Sequence, residues 1–370
     1  MSNASRKPAR SRNGTIELMR FVFCMEVILY HIAKRVTLPT AGHFNFFLNG
    51  KIGVEFFFLV SGFLMAASAQ RAFDRPIAKE TGRFMLRKVA AVFPNHCIVF
   101  VLCLCCMLFY LAHSLRDAAK IVFESIPSFF FIQKTGIPVH RIIRPEWYIE
   151  AMLWAMLVIF PLILRFRERF TKIACPVLCV FLVGYMTHAS THLGGTERYL
   201  FGDTIPKVYV RAFAELCGGA FCFEVSRLLR RLHLKKGERI ALTLLECGCY
   251  LGTLVYTVSD LKDGYEAYFF YILAVAITLS FSEVTLTSRL FGSSVFGLLG
   301  KLSLPLYLAQ SMFFSPLRYS ERLLALPPWT QVAVSLALTF GFGLLSYALS
   351  KPLDKHLRAG VNRRLGEPVL

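Results

Sequence analysis

The sequence predicts an all-α, polytopic membrane helix bundle of about ten transmembrane helices with both termini in the cytoplasm. Two observations carry that prediction. Of the 370 residues, 55% are hydrophobic and 35 are phenylalanine. The excess is gathered into runs of roughly 17–25 residues, the length that crosses ~30 Å of hydrocarbon. The second observation is where the charge falls. The formal net charge is +19, and with the first residue inside, 27 of the 42 Lys and Arg lie on the inner side and 13 on the outer, with Arg20 and Arg211 within spans. That is the positive-inside bias of membrane proteins, so no nucleic-acid partner is expected. Part of the basic excess also suits an anionic leaflet.

The elements follow in order. Residues 1–14 form a basic cytoplasmic tail, and the run 15–33 has no small-residue cleavage site, so it reads as a retained span and not as a signal peptide. It carries Glu17, Arg20, Glu26 and His31, which lipid should exclude. Arg20 and His31, eleven positions apart, lie within about 20° of each other around a helix, and Glu17 can pair with Arg20 one turn away. That face points to protein or to a water-filled cavity, with Arg20 in the inner half and His31 near the outer surface. The plainer alternative is a snorkelling Arg20 and a His31 that only caps the helix.

The run 52–70 brings Glu55 in from the outer side at about the depth of His31. A carboxylate there can fix the imidazole tautomer and raise its basicity, as a general base requires; an interfacial Glu55 in water is the alternative. Ser61-Gly62 permits close helix packing. The run 90–113 is preceded by Arg83, Arg87 and Lys88, either an ordinary cytoplasmic flank or a site for the phosphates of a cytosolic donor. The stretch 121–133 is too short and interrupted to span and reads as interfacial.

The run 146–165 opens on Glu146-Trp147 after Arg141 and Arg144, which can hold a sugar by stacking and hydrogen bonding or simply mark the interface. Then come 173–189, 208–226 with Arg211 and Glu215 four apart as an internal ion pair, 240–258, 265–282, 292–313 and 330–350. Residues 15–350 therefore form one membrane domain, and 351–370 a cytoplasmic tail. Most of the eleven cysteines fall in apolar runs at spacings that match no zinc site, so no metal is expected. No P-loop or dinucleotide fingerprint is present.

Several of these motifs occur together in a known pattern. Glu17-Leu-Met-Arg20 followed by Tyr30-His31 resembles the first helix of the membrane-bound acyltransferase-3 family, and Gly53-Val-Glu-Phe-Phe-Phe-Leu-Val-Ser-Gly-Phe63 resembles its second. Arg87-Lys88 with Phe93-Pro94, Glu146-Trp147-Tyr148, Gly300-Lys301-Leu-Ser303 through Tyr307-Leu308, and Lys351-Pro352 also fit. The resemblance covers essentially the whole chain. It implies transfer of an acyl group, usually acetyl from acetyl-coenzyme A, to a hydroxyl of an extracytoplasmic polysaccharide or glycolipid, in a bacterial cytoplasmic (inner) membrane. His31 and Arg20 match the family's histidine and arginine pair, and Glu55 its acidic position.

On that basis His31 is the general base or a transient acyl carrier, held by Glu55. Arg20, Arg83, Arg87 and Lys88 serve the donor, and Glu146, Trp147, Arg144 and Arg211 serve the acceptor. Two positions depart from the family. Ala91 stands where a second arginine is common, with Arg83 one turn upstream as a substitute, and Gln310 stands where a histidine is frequent, a peripheral change. A transporter using the same polar face, or a non-catalytic assembly protein with the same fold, remains the alternative.

Overall fold

The computed structural model describes residues 13–38, 45–261, 263–287, 291, 294–313 and 320–366. Residues 1–12 and 367–370 of the expected tails, 39–44 of the first outer loop and 292–293 of the ninth run lie outside these.

Each of the ten predicted runs falls on a helix. In chain order these are α1 (Gly14–Ala33), α2 (Gly53–Gln70) and α3 (Ile77–Leu111), followed by α4 (Leu115–Phe129), which overlaps the first part of the stretch 121–133. Next are α5 (Trp147–Phe166), α6 (Cys175–Ser190), α7 (Lys207–Leu229) and α8 (Lys236–Thr257). Then come α9 (Glu266–Ser282), α10 (Ser294–Ala309), the single turn α11 (Glu321–Leu324) and α12 (Pro328–Leu365). α4 has 15 residues, roughly 22 Å of helix, and leaves Leu115 and Phe123 exposed, as a helix lying along an interface would.

Among the described residues, six helices are long and apolar enough to cross a membrane: α2, α3, α5, α6, α8 and α12, three of them together with an adjoining helical turn. The protein is an integral membrane protein. α1 and α7 are long enough but carry three or more charged side chains in any 18-residue stretch, and α9 and α10 have 17 and 16 residues. Most of the charges on α1 and α7 are turned inward, while Arg20 and Arg227 stay partly exposed. Glu17, Glu26, Arg211, Glu215 and Glu224 are all buried.

Helix α2 sits at the centre, packed against α1, α5, α7 and α9. Its closest neighbour is α7, and glycine permits the approach. A Cβ on Gly62 would lie 2.2 Å from the Leu216 carbonyl oxygen, and one on Gly219 2.1 Å from that of Leu59. Apolar side chains gain little by leaving lipid for protein, so membrane helices hold together by such close packing and by shared polar groups. The pair α3 and α12 uses the second device: Ser346 and Ser350 both donate to the Asn95 side chain, at 3.4 and 3.1 Å.

Between α6 and α7 the chain forms a short antiparallel hairpin of β1 (Tyr199–Leu200) and β2 (Ile205–Pro206). The segment before it is clamped from two directions. Lys207 donates to the Ser190 hydroxyl and to the His192 carbonyl, both at 2.6 Å. Glu266 accepts from the backbone amides of Leu193 and Gly194, at 2.9 and 3.0 Å, and is ion-paired with Lys51.

Candidate active site

Helix α1 carries its two aligned polar groups to opposite ends of the bundle. At one end His31 opens into a cavity of about 520 Å³, walled by the start of α2, the start of α5, the start of α7, Tyr307 of α10 and the segment 194–197. At the other end Arg20 lines a cavity of about 500 Å³ with Arg71, Arg227 and Arg230, built from the last turns of α2, α7 and α9. Eleven residues of α1 separate the two groups by roughly 16 Å.

His31 is fixed by a chain of two hydrogen bonds. Its Nδ1 lies 2.7 Å from Gln310 Oε1, and Gln310 Nε2 donates to the Tyr307 carbonyl at 2.6 Å. Because the Gln310 nitrogen must face that carbonyl, its oxygen faces His31 and accepts. The assignment that follows puts the hydrogen on Nδ1 and the lone pair on Nε2, the form a general base needs. Gln310 is fully buried, so no water competes for the bond.

The expected partnership of Glu55 with His31 is not the one observed. Glu55 is fully buried and accepts from Arg211 Nη2 at 2.5 Å, while Arg211 Nε donates to Glu215 at 2.8 Å. A guanidinium offers donors on two edges and two carboxylates take them. Arg211 also lies over the Trp147 ring, 5.2 Å from its centroid, and both line the His31 cavity. The sequence paired Arg211 with Glu215 correctly, but Glu55 stabilises this cation and not the imidazole.

Glu146 also has another role than the expected hold on a sugar. It is completely buried and ion-paired with His96 of α3, whose other ring nitrogen lies 3.1 Å from the Phe129 carbonyl oxygen. That link ties α3, α4 and the start of α5 together. Trp147 and Arg144 do line the cavity, as does Arg141.

The basic group at the start of α3 is divided. Arg83 donates to Glu80 at 2.8 Å and to the Leu365 carbonyl at 3.4 Å, so its guanidinium joins α3 to the end of α12. Lys88 lies over the Phe84 ring, 5.5 Å from its centroid, and within electrostatic reach of Arg20. Arg87 is exposed. Arg20 keeps its predicted pairing with Glu17, at 3.7 Å.

Three contributors escape a reading of the sequence. Gln310 is legible only as a polar residue in an apolar run, and its contact with His31 shows that the change from histidine there is not peripheral. Lys134 and Glu197 lie in loops, where no periodicity points them anywhere. The Lys134 amide is held by Glu150 at 2.9 Å, and its ammonium reaches Glu197 at 2.8 Å across the cavity rim. Arg141 binds the same Glu197 oxygen at 2.6 Å. Burial alone would raise the Glu197 carboxyl, but hydrogen bonds and charge from Arg141 and Lys134 hold it at about 2.

Residues 13–348 match a family model described as an acyltransferase domain. No match was found among curated proteins or among solved structures.

Proposed function

This chain belongs to the acyltransferase-3 family and is a membrane acyltransferase, and from that premise we propose that it transfers an acetyl group from cytosolic acetyl-coenzyme A to a hydroxyl of an extracytoplasmic polysaccharide or glycolipid. The observation that carries this reading is His31, oriented by Gln310 in the wall of one cavity, on the same helix whose other end carries Arg20 into a second. In this reading the His31 cavity faces outward and the Arg20 cavity faces the cytosol of a bacterial inner membrane.

The donor's phosphates approach the inner arginines and Lys88, and its extended thioester arm runs along α1 toward His31. The acceptor hydroxyl attacks the thioester carbonyl carbon while His31 Nε2 takes its proton. The C–S bond then breaks, and the departing sulfur recovers the proton from the imidazolium. A developing oxyanion at this depth is offset by the positive charge of the cavity wall. Glu55 and Glu215 contribute by holding the Arg211 guanidinium in that wall.

The test uses purified protein in lipid nanodiscs with acetyl-labelled coenzyme A. Wild type consumes the donor. His31→Ala binds it but turns it over about 10²–10⁴-fold more slowly, the usual contribution of a positioned base. Gln310→Leu costs roughly tenfold, as loss of one orienting hydrogen bond implies. Donor binding without turnover in wild type would replace this reading with an assembly role, and absence of donor binding would favour a transporter.

A further inference from the structure

The cavity around His31 is more basic than proton transfer requires. Lys34, Arg35 and Lys51 line it on the α1–α2 side, and Lys134, Arg141, Arg144 and Arg211 on the other, against one lining carboxylate, Glu197. Further carboxylates act from behind the wall: Glu55 and Glu215 on Arg211, and Glu266 on Lys51. Glu150 acts on Lys134 in the same way. The opposite cavity differs. There Arg20 is matched by Glu17, Arg227 by Glu168 and Glu224, and Arg230 by Glu283.

Glu197 shows what this rim does with a carboxylate. One of its oxygens accepts from Lys134 at 2.8 Å, from Arg141 at 2.6 Å and from the Thr196 hydroxyl at 3.2 Å, although the side chain is 64% exposed. Arg144 and Lys34 are exposed and have no carboxylate partner among the described residues. Lys34 lies three residues beyond His31 on the chain, and Arg144 three before Trp147, so the two cations flank the base and the aromatic ring. A concave surface on which basic side chains outnumber acidic ones concentrates ligands of negative charge.

Building on the acyltransferase reading, we propose that the acceptor is anionic: the sugar that presents its hydroxyl to His31 carries a carboxylate or phosphate group, bound by Arg144 and Lys34. An anionic sugar can pair with both cations, whereas a neutral one offers them only dipolar contacts. The arrangement therefore selects by charge as well as by shape.

The experiment measures binding to the protein in phosphatidylcholine nanodiscs, without donor, using three probes: a glucuronic-acid-containing disaccharide, a sugar 1-phosphate and the neutral glucose disaccharide. At least one anionic probe should bind roughly tenfold tighter than the neutral one, the scale of one charge-assisted hydrogen bond. The preference should shrink in 0.5 M salt and in Arg144→Gln, and vanish in Arg144→Gln with Lys34→Gln. The relative strength of the two anionic probes separates carboxylate from phosphate recognition. Equal or tighter binding of the neutral disaccharide, no binding of either anionic probe, or a preference that survives the double substitution would overturn the proposal. So would displacement of the anionic probe by added phosphatidylglycerol, which would reassign the cations to lipid headgroups. Donor consumption by wild type is measured in parallel, so that a failed acyltransferase reading is seen separately from a wrong acceptor class.

Discussion

Arg211 is almost wholly buried, so its charge is balanced mainly by protein groups. It is 4% exposed and is shared by Glu55 and Glu215, both fully buried. Removing one member of such a group leaves the others charged in a low dielectric, which is more costly than never having buried them. Arg211→Ala is therefore expected to destabilise the protein by about 3–5 kcal/mol, read as a lowered melting temperature in detergent. Combining it with Glu55→Gln and Glu215→Gln should recover much of that loss, because the uncompensated charges are gone. If Arg211→Ala melts like wild type, the three groups do not depend on one another. His31 depends on a neutral partner instead. Gln310 holds it without adding a charge, so the base is oriented while the net positive character of the cavity is kept.

At the scale of helices, the cavity exists because α2 and α7 approach closely enough to set Glu55 against Arg211. Gly62 and Gly219 allow that approach, each facing the other helix's backbone. Backbone cannot swing aside as a side chain can, so Gly62→Ala should force the helices apart and cost about 1–3 kcal/mol, the range for overpacking. Gly252 in α8 has nothing within 4 Å of an added Cβ, and Gly252→Ala should be neutral or slightly stabilising. Equal stability of these two variants would show that the α2–α7 contact is not tight. The segment 190–197 is set by the same logic of fixed anchors. Lys207 and Glu266 capture its backbone at several points, which carries Glu197 to the rim opposite Lys134.

For the whole molecule, the two cavities lie at opposite ends of α1, and the proposed function needs the Arg20 cavity to face the cytosol and hence cytoplasmic termini. Reporter fusions are expected to place both termini in the cytosol and residues 34–51 and 114–145 outside, following the Lys and Arg distribution. An external C-terminus would put His31 on the cytosolic side and remove the two-compartment arrangement. The sequence by itself determined that this is a helical membrane protein, that ten apolar runs fall on helices, though not that α3 starts at Ile77 or that α12 continues to Leu365, and that Arg20 and His31 share one face of α1. Those properties follow from the length of apolar runs and from the 3.6-residue period, both local to one segment. It also paired Arg211 with Glu215 and Glu17 with Arg20, since partners three or four apart meet on any helix. Partners on different helices were decided only by the tertiary structure. Gln310 holds His31, Glu55 turns to Arg211, and Glu146 turns to His96. The period of a helix states which of its own residues are neighbours, but not the depth or rotation at which another helix packs against it. That depth and rotation depend on contacts summed over whole interfaces, among them the glycines that let α2 and α7 meet.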